Sequence, residues 1–248
     1  MKKPKGISLS SIRFSLGNEA LSAGLAFFSS FDDEYLNETA CGLLHPEEIK
    51  TGGGYASNIR RRSFLHGRIA AKMAVKQIFP NIHPADLQIE TGCFGEPLLK
   101  NLTRSYGISI AHDDSWNAGL CFPLSVPMGI DVETITEKNR EIIPSILSDY
   151  EKGMCNREED SLAFLHILWT AKEAAGKAIG LGFRVPADWY EIDLVETISA
   201  EPRLIRQCRF KQLSLYMTLS ITIPGGMLSI AFPAEQNFDQ AMIRLLKC

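Results

Sequence analysis

Gly129-Ile130-Asp131-Val132-Glu133 and, about forty residues on, Trp169-Thr170-Ala171-Lys172-Glu173-Ala174-Ala175-Gly176-Lys177 decide how this chain of 248 residues reads. In the first stretch apolar and acidic residues alternate, the period of a strand. Asp131 and Glu133 then share one face, Ile130 and Val132 the other. The apolar pair is expected to face the core and the acids a cleft, with Gly129 allowing close backbone approach. In the second stretch Trp169, Glu173 and Lys177 recur every fourth residue, so they line one stripe of a helix. Lys172 lies about 100° around from Glu173 and is expected to reach the same ligand from the side. Like charges this close need a positive partner. Three carboxylates and an amine suit a hard divalent cation and a phosphate-bearing ligand.

Outward from these stretches, apolar periodicity predicts one helix from Arg62 to Phe79 and a second from Ser161 to Ile179, closed by Gly180 and Gly182. Strand patterns fall at Gly107–Ala111, Ala118–Phe122, Met128–Val132, Tyr190–Val195, Leu213–Ile223 and Met227–Phe232. Shifting by one hundred positions aligns Phe64-Leu65-His66 with Phe164-Leu165-His166, Ala71-Lys72 with Ala171-Lys172, and Ala74 with Ala174. Helix composition alone could produce part of this match, so duplication is an expectation for the structure to test. It implies an α+β fold of two similar halves, residues 1–125 and 126–248, the second carrying the acids. Met73 stands where the second half has Glu173, so one ligand is expected, at the junction of the halves. The first 60 residues give no clear pattern. Gly52-Gly53-Gly54 lacks the Gly-Lys-Ser/Thr that follows in a phosphate loop and reads as a flexible connection.

Composition bounds the rest. Twenty-six basic against 29 acidic residues give a net charge of -3, no global reason to expect nucleic acid. The apolar run from Leu21 to Phe28 is too short to span a bilayer, and no membrane association is expected. Cysteines at 41, 93, 121, 155, 208 and 248 form no C-x-x-C pair and read as reduced thiols in a cytoplasmic protein. Arg60, Arg61, Arg62 and Arg68 cluster at a helix start, where cations oppose the macrodipole, which favours an anionic partner. His112 ends a strand before Asp113-Asp114, where a structural histidine and a ligand contact are both open readings.

Together these residues resemble the two signature motifs of the Sfp-type 4'-phosphopantetheinyl transferases, (I/V)-G-(I/V)-D-x-E and (F/W)-(S/C/T)-x-K-E-(A/S)-x-x-K. Arg62-Ser63-Phe64-Leu65-His66-Gly67-Arg68 is similar to the family's early R-x-x-x-x-x-G-R helix. Gly95-Glu96-Pro97 resembles its G-x-P turn, and Ser109-Ile110-Ala111-His112 its S-I-S-H strand. The resemblance covers roughly residues 60 to 185. It implies a pseudo-twofold α+β fold with coenzyme A bound between the halves. The implied reaction transfers the phosphopantetheine arm to a serine of an acyl or peptidyl carrier protein, releasing adenosine 3',5'-bisphosphate. By the same resemblance Asp131, Glu133 and Glu173 hold Mg²⁺, with Asp131 thereby also on the coenzyme A side. Glu173 is the candidate base for the carrier serine, and Lys177 neutralises the leaving phosphate. His112 contacts phosphate, Lys172 assists, and Arg61, Arg62 or Arg68 takes the 3'-phosphate. A monomer is expected. Two departures stand out: Glu96 replaces a frequent lysine, and Ala111 replaces serine. They leave open a relative that binds coenzyme A or a carrier protein without chemistry. An unrelated metal-dependent phosphohydrolase would need more acidic or histidine ligands than the sequence offers.

Overall fold

The computed structural model describes residues 8–16, 19–102, 105–201 and 203–234, so Lys2, Lys3, Lys5 and Cys248 lie outside the described residues. The chain divides into two units, Met1–Pro127 and Met128–Cys248.

The first unit runs β1 (Ser8–Leu16), β2 (Glu19–Ser29), α1 (Asp33–Leu43), α2 (Pro46–Gly53), α3 (Asn58–Ile78), β3 (Gln88–Thr91), β4 (Pro97–Lys100), β5 (Tyr106–His112) and β6 (Trp116–Pro123). An antiparallel sheet takes the order β1-β2-β6-β5, and β3 pairs with β4 as a hairpin. Strand β2 has no alternating pattern to betray it, because Ala23 to Phe28 are nearly all buried. A strand covered on both faces reads as a continuous apolar run. Helix α3 starts a turn before its apolar stripe because the Ser57 side chain accepts from Arg60 N. It lies tight on the sheet: a Cβ on Gly24 would come within 2.2 Å of Ala74 O, and one on Gly119 within 2.3 Å of the Ala70 carbonyl.

The glycine triplet corrects its expectation. Gly52 and Gly53 form the last turn of α2, and Gly54 caps it. Two glycines cost a helix about 1 kcal/mol each relative to alanine. A capping box between His45 and Glu48, with Pro46 in the first turn, offsets that cost at the other end. Gly52 also packs closely, since a Cβ there would meet Leu65 Cδ2 at 2.9 Å and make that side chain shift.

The second unit runs β7 (Gly129–Thr134), α4 (Asn139–Ile142), α5 (Asp149–Cys155), α6 (Ser161–Ala178), β8 (Ile192–Ser199), β9 (Ile205–Phe210), β10 (Tyr216–Ile223) and β11 (Gly226–Pro233). Its antiparallel sheet takes the order β7-β11-β10-β9-β8. The path repeats that of the first unit from β2 onward: strand, short helix, long helix, hairpin, then two strands whose last pairs with the first. Contacts repeat with the path. Gly129 presses on Ala174 O as Gly24 does on Ala74 O. His166 Nε2 faces Thr136 N at 3.4 Å, as His66 Nε2 accepts from Phe31 N at 2.9 Å. The glutamate of each short helix caps its own N-terminus and accepts from the next strand, Glu48 from Ile89 N and Glu151 from Ile192 N. Each also pairs with a buried lysine of the long helix, Lys72 or Lys172. The similarity of the two helices therefore extends to whole units.

Candidate active site

Within the second unit, Gly129 sets how the site is built. A Cβ there would lie 2.0 Å from Ala174 O and 2.6 Å from Ala178 N, so only glycine lets β7 run this close to α6. Alternation then turns Asp131 and Glu133 to the same side as Gly129, toward α6, while Ile130 and Val132 are buried on the opposite face. The carboxylates meet the predicted stripe. Lys177 Nζ donates to Asp131 Oδ1 at 2.7 Å, and Trp169 Nε1 to Glu133 Oε1 at 3.4 Å. Glu173 lies one turn from each donor, between them along the helix.

Electrostatics distinguish Glu173 from its neighbours. Burial first, and then repulsion from Asp131, push its carboxyl from 4.5 up to about 7, against the pull of Lys177. A carboxyl poised there can give or take a proton near neutrality. Asp131 is only 5% exposed and is held by the Lys177 ammonium.

The donor set is entirely oxygen, the chemistry that Mg²⁺ prefers. Among the described residues, no group of three or more His, Cys, Asp or Glu side chains is gathered closely enough to hold a metal ion. Lys177 instead supplies the positive charge against Asp131.

Structure adds groups that local pattern does not reveal. Ser229 pairs with Asp131 in the strand register and meets the Thr170 hydroxyl at 2.6 Å and that of Ser220 at 2.7 Å. This buried hydroxyl chain ties β10, β11 and α6 together beside Asp131. Tyr190, fully buried, donates to Gly182 O at 2.5 Å, and Gly176 lets that turn lie against α6. Burial first, then the charge of Glu173, raise the tyrosine pKa. In the sequence Tyr190 reads merely as the start of a strand.

Other expected site residues are placed differently. Lys172 does not flank Glu173: it is 1% exposed, and its ammonium is locked to Glu151 at 2.8 Å. The helical angle that was to carry it to a ligand carries it into the core instead. In the first unit, Arg61 donates to Asn37, and Arg62 to Asp33 and the Phe31 carbonyl, so these arginines tie α3 to α1 and the turn before it. Arg68 is buried beside Glu48 and Phe64. His112 is exposed at the end of β5, its Nδ1 3.3 Å from Ser63 Oγ. Glu96 is occupied within its own turn, where it accepts from Phe94 N at 2.8 Å and fills the space a side chain would take at Gly92. The cysteines 41, 93, 121, 155 and 208 are free thiols, and no described helix is long and apolar enough to cross a membrane.

The acid-bearing positions have apolar or neutral counterparts in the first unit. Ala26 stands for Asp131, Phe28 for Glu133, Met73 for Glu173 and Gln77 for Lys177. Among these matched positions, only the second unit carries the acids and the lysine.

Residues 127–227 match the model of the 4'-phosphopantetheinyl transferase superfamily. A holo-[acyl-carrier-protein] synthase of Geobacter metallireducens is 28% identical over 124 residues, 47% of this chain and 94% of that protein. The 4'-phosphopantetheinyl transferase gsp of Aneurinibacillus migulanus is 31% identical over 138 residues, 55% of each chain. A holo-[acyl-carrier-protein] synthase of Cupriavidus taiwanensis is 40% identical over 62 residues, 25% of this chain and 44% of that one. This chain thus spans about half the length of the latter two relatives. A solved holo-(acyl-carrier-protein) synthase from Bacillus anthracis, in complex with CoA (3',5'-ADP), matches at 20% identity and a TM-score of 0.37, over 40% of this chain and 92% of its own.

Proposed function

We propose, for a chain whose residues 127–227 match the model of the 4'-phosphopantetheinyl transferase superfamily, that it moves the 4'-phosphopantetheine arm of coenzyme A onto a serine of an acyl or peptidyl carrier protein. The observation that carries this reading is Glu173, held near neutrality between Asp131, Lys177 and the Trp169–Glu133 pair. In the transfer, the serine oxygen bonds to the phosphorus that carries the pantetheine arm. The bond from that phosphorus to the bridging pyrophosphate oxygen breaks. Adenosine 3',5'-bisphosphate leaves, and the serine proton passes to Glu173. A carboxylate whose pKa lies near the working pH suits that proton transfer. Lys177 is placed to offset charge growing on the departing phosphate. Asp131 holds the Lys177 ammonium, and Trp169 orients Glu133.

Mg²⁺ held by Asp131, Glu133 and Glu173 would supply charge neutralisation on the pyrophosphate; the donor set is the oxygen chemistry it prefers, but the three carboxylates would have to draw closer and Lys177 to release Asp131. His112, Arg61 and Arg62 are assigned to coenzyme A phosphates. The protein is assigned to the cytoplasm, as a monomer.

Incubation of the full chain with coenzyme A, Mg²⁺ and a panel of apo carrier proteins, followed by intact-mass measurement, tests the reading. A carrier should gain the phosphopantetheine mass. A folded protein that modifies no carrier, yet binds coenzyme A by calorimetry, would instead be the binding relative without chemistry.

A further inference from the structure

The repeated units differ in the side chains that surround their short helices, α2 and α5. A cavity of about 330 Å³ lies beside α2, α3 and β3, lined in part by Thr51, Phe64, Arg68, Gln88, Ile89 and Glu90. In the second unit the corresponding positions carry larger or apolar side chains. Met154 stands for Thr51, and Leu168, fully buried, stands for Arg68. Tyr150, at the place of Glu47, donates its hydroxyl to Asp193 O at 3.0 Å and bridges α5 to β8.

Arg68 is 9% exposed, and its guanidinium lies 4.8 Å from the centre of the Phe64 ring. Its Nε is buried with no hydrogen-bond partner, 3.9 Å from Glu48 Oε1 and so beyond hydrogen-bond reach. Glu48 is already committed: Lys72 Nζ sits 2.6 Å away, and His45 N and Ile89 N each donate at 2.9 Å. Arg68 and Lys72 against one Glu48 leave a single positive charge in excess. Burial lowers the arginine pKa, yet a guanidinium stays charged in a protein. A buried charge without a full partner is costly, and a counter-ion relieves that cost.

The rim selects which anion. Glu47 and Glu90 flank the opening, and their own cations, Lys50 at 3.8 Å and Lys100 at 3.4 Å, are solvent-exposed pairs that screen them weakly. They repel a doubly charged phosphate more than a singly charged group. Phe64 and Ile89 add an apolar wall, and the planar guanidinium matches a carboxylate through two parallel hydrogen bonds. We propose that this cavity binds a monocarboxylate with an apolar or aromatic body, its carboxylate on Arg68 and its body against Phe64 and Ile89. The lining contains none of Arg61, Arg62, His112 or the acids of β7 and α6.

Calorimetric titration of the full chain tests this with benzoate, its uncharged isostere benzamide, inorganic phosphate and adenosine 3',5'-bisphosphate. Benzoate should bind saturably, with benzamide and phosphate at least about tenfold weaker, the scale of one charge-assisted contact. Arg68→Met should abolish benzoate binding. Thr51→Trp, on the exposed mouth and away from the buried ion pairs, should block it without touching the guanidinium. No saturable benzoate binding to the folded wild-type chain would overturn the proposal. So would equal binding of benzamide, or unaltered binding in Thr51→Trp. Displacement of benzoate by adenosine 3',5'-bisphosphate would overturn it too, by making the cavity part of the nucleotide site.

Discussion

Glu173→Gln is expected to lower phosphopantetheine transfer by about 10²- to 10⁴-fold, the usual contribution of a positioned general base, while leaving the chain folded. The amide keeps the shape of the side chain but cannot take the serine proton. The pH dependence should change with it. In the metal-free protein burial and Asp131 push the Glu173 carboxyl up to about 7, so a group titrating there should be seen without divalent cation and should be missing from the variant. Stability carries the opposite sign. A carboxyl raised from 4.5 to about 7 on folding contributes stability below the lower value, which is lost as pH rises through the upper one. That loss should be roughly 3 kcal/mol in urea denaturation without divalent cation, and the glutamine variant should show little of it. An undiminished rate in Glu173→Gln would remove this residue from the mechanism.

Lys172→Met should destabilise the protein by about 3–5 kcal/mol, the cost of leaving a buried carboxylate without its cation. Glu151 is fully buried and also accepts from Ser148 N and Ile192 N, so it joins α5, α6 and β8 at one point. Adding Glu151→Gln should recover part of the loss, because the neutral amide oxygen can still accept from one backbone N–H. Denaturation midpoints of the two single variants and the double variant would give the coupling energy. A Lys172→Met protein as stable as the wild type, with a raised KM for coenzyme A, would return Lys172 to a ligand-binding role.

Local period makes the chemistry legible. The alternation of Gly129 to Glu133 and the fourfold spacing of Trp169, Glu173 and Lys177 each fix a face, and the two faces meet. Lys172 shows the limit of that reasoning. Helical angle gives a direction but not what waits there, and Glu151, twenty-one residues away, has no local signature linking it to Lys172. The helix dipole alone suggests an anionic partner for Arg61 and Arg62, yet the acid and carbonyl that satisfy Arg62 come from the patternless first segment. That segment is opaque because β2 is buried on both faces and α2 ends in glycines. Strand β9 hides for a related reason: Ile205–Phe210 interleaves charged and buried residues, with Gln207 and Cys208 both buried in the sheet. Tyr190 and Ser229 matter through contacts that only the tertiary path creates.

Ala26, Phe28, Met73 and Gln77 show that the same frame can be filled without an acid cluster. Activity and durability then draw on the same few positions, as in proteins that give up robustness for a working site. Asp131→Ala, Glu133→Phe, Glu173→Met and Lys177→Gln, made together, should yield an inert protein with a higher melting temperature than the parent. The first unit is, in effect, a natural blueprint for a heat-resistant version of the second.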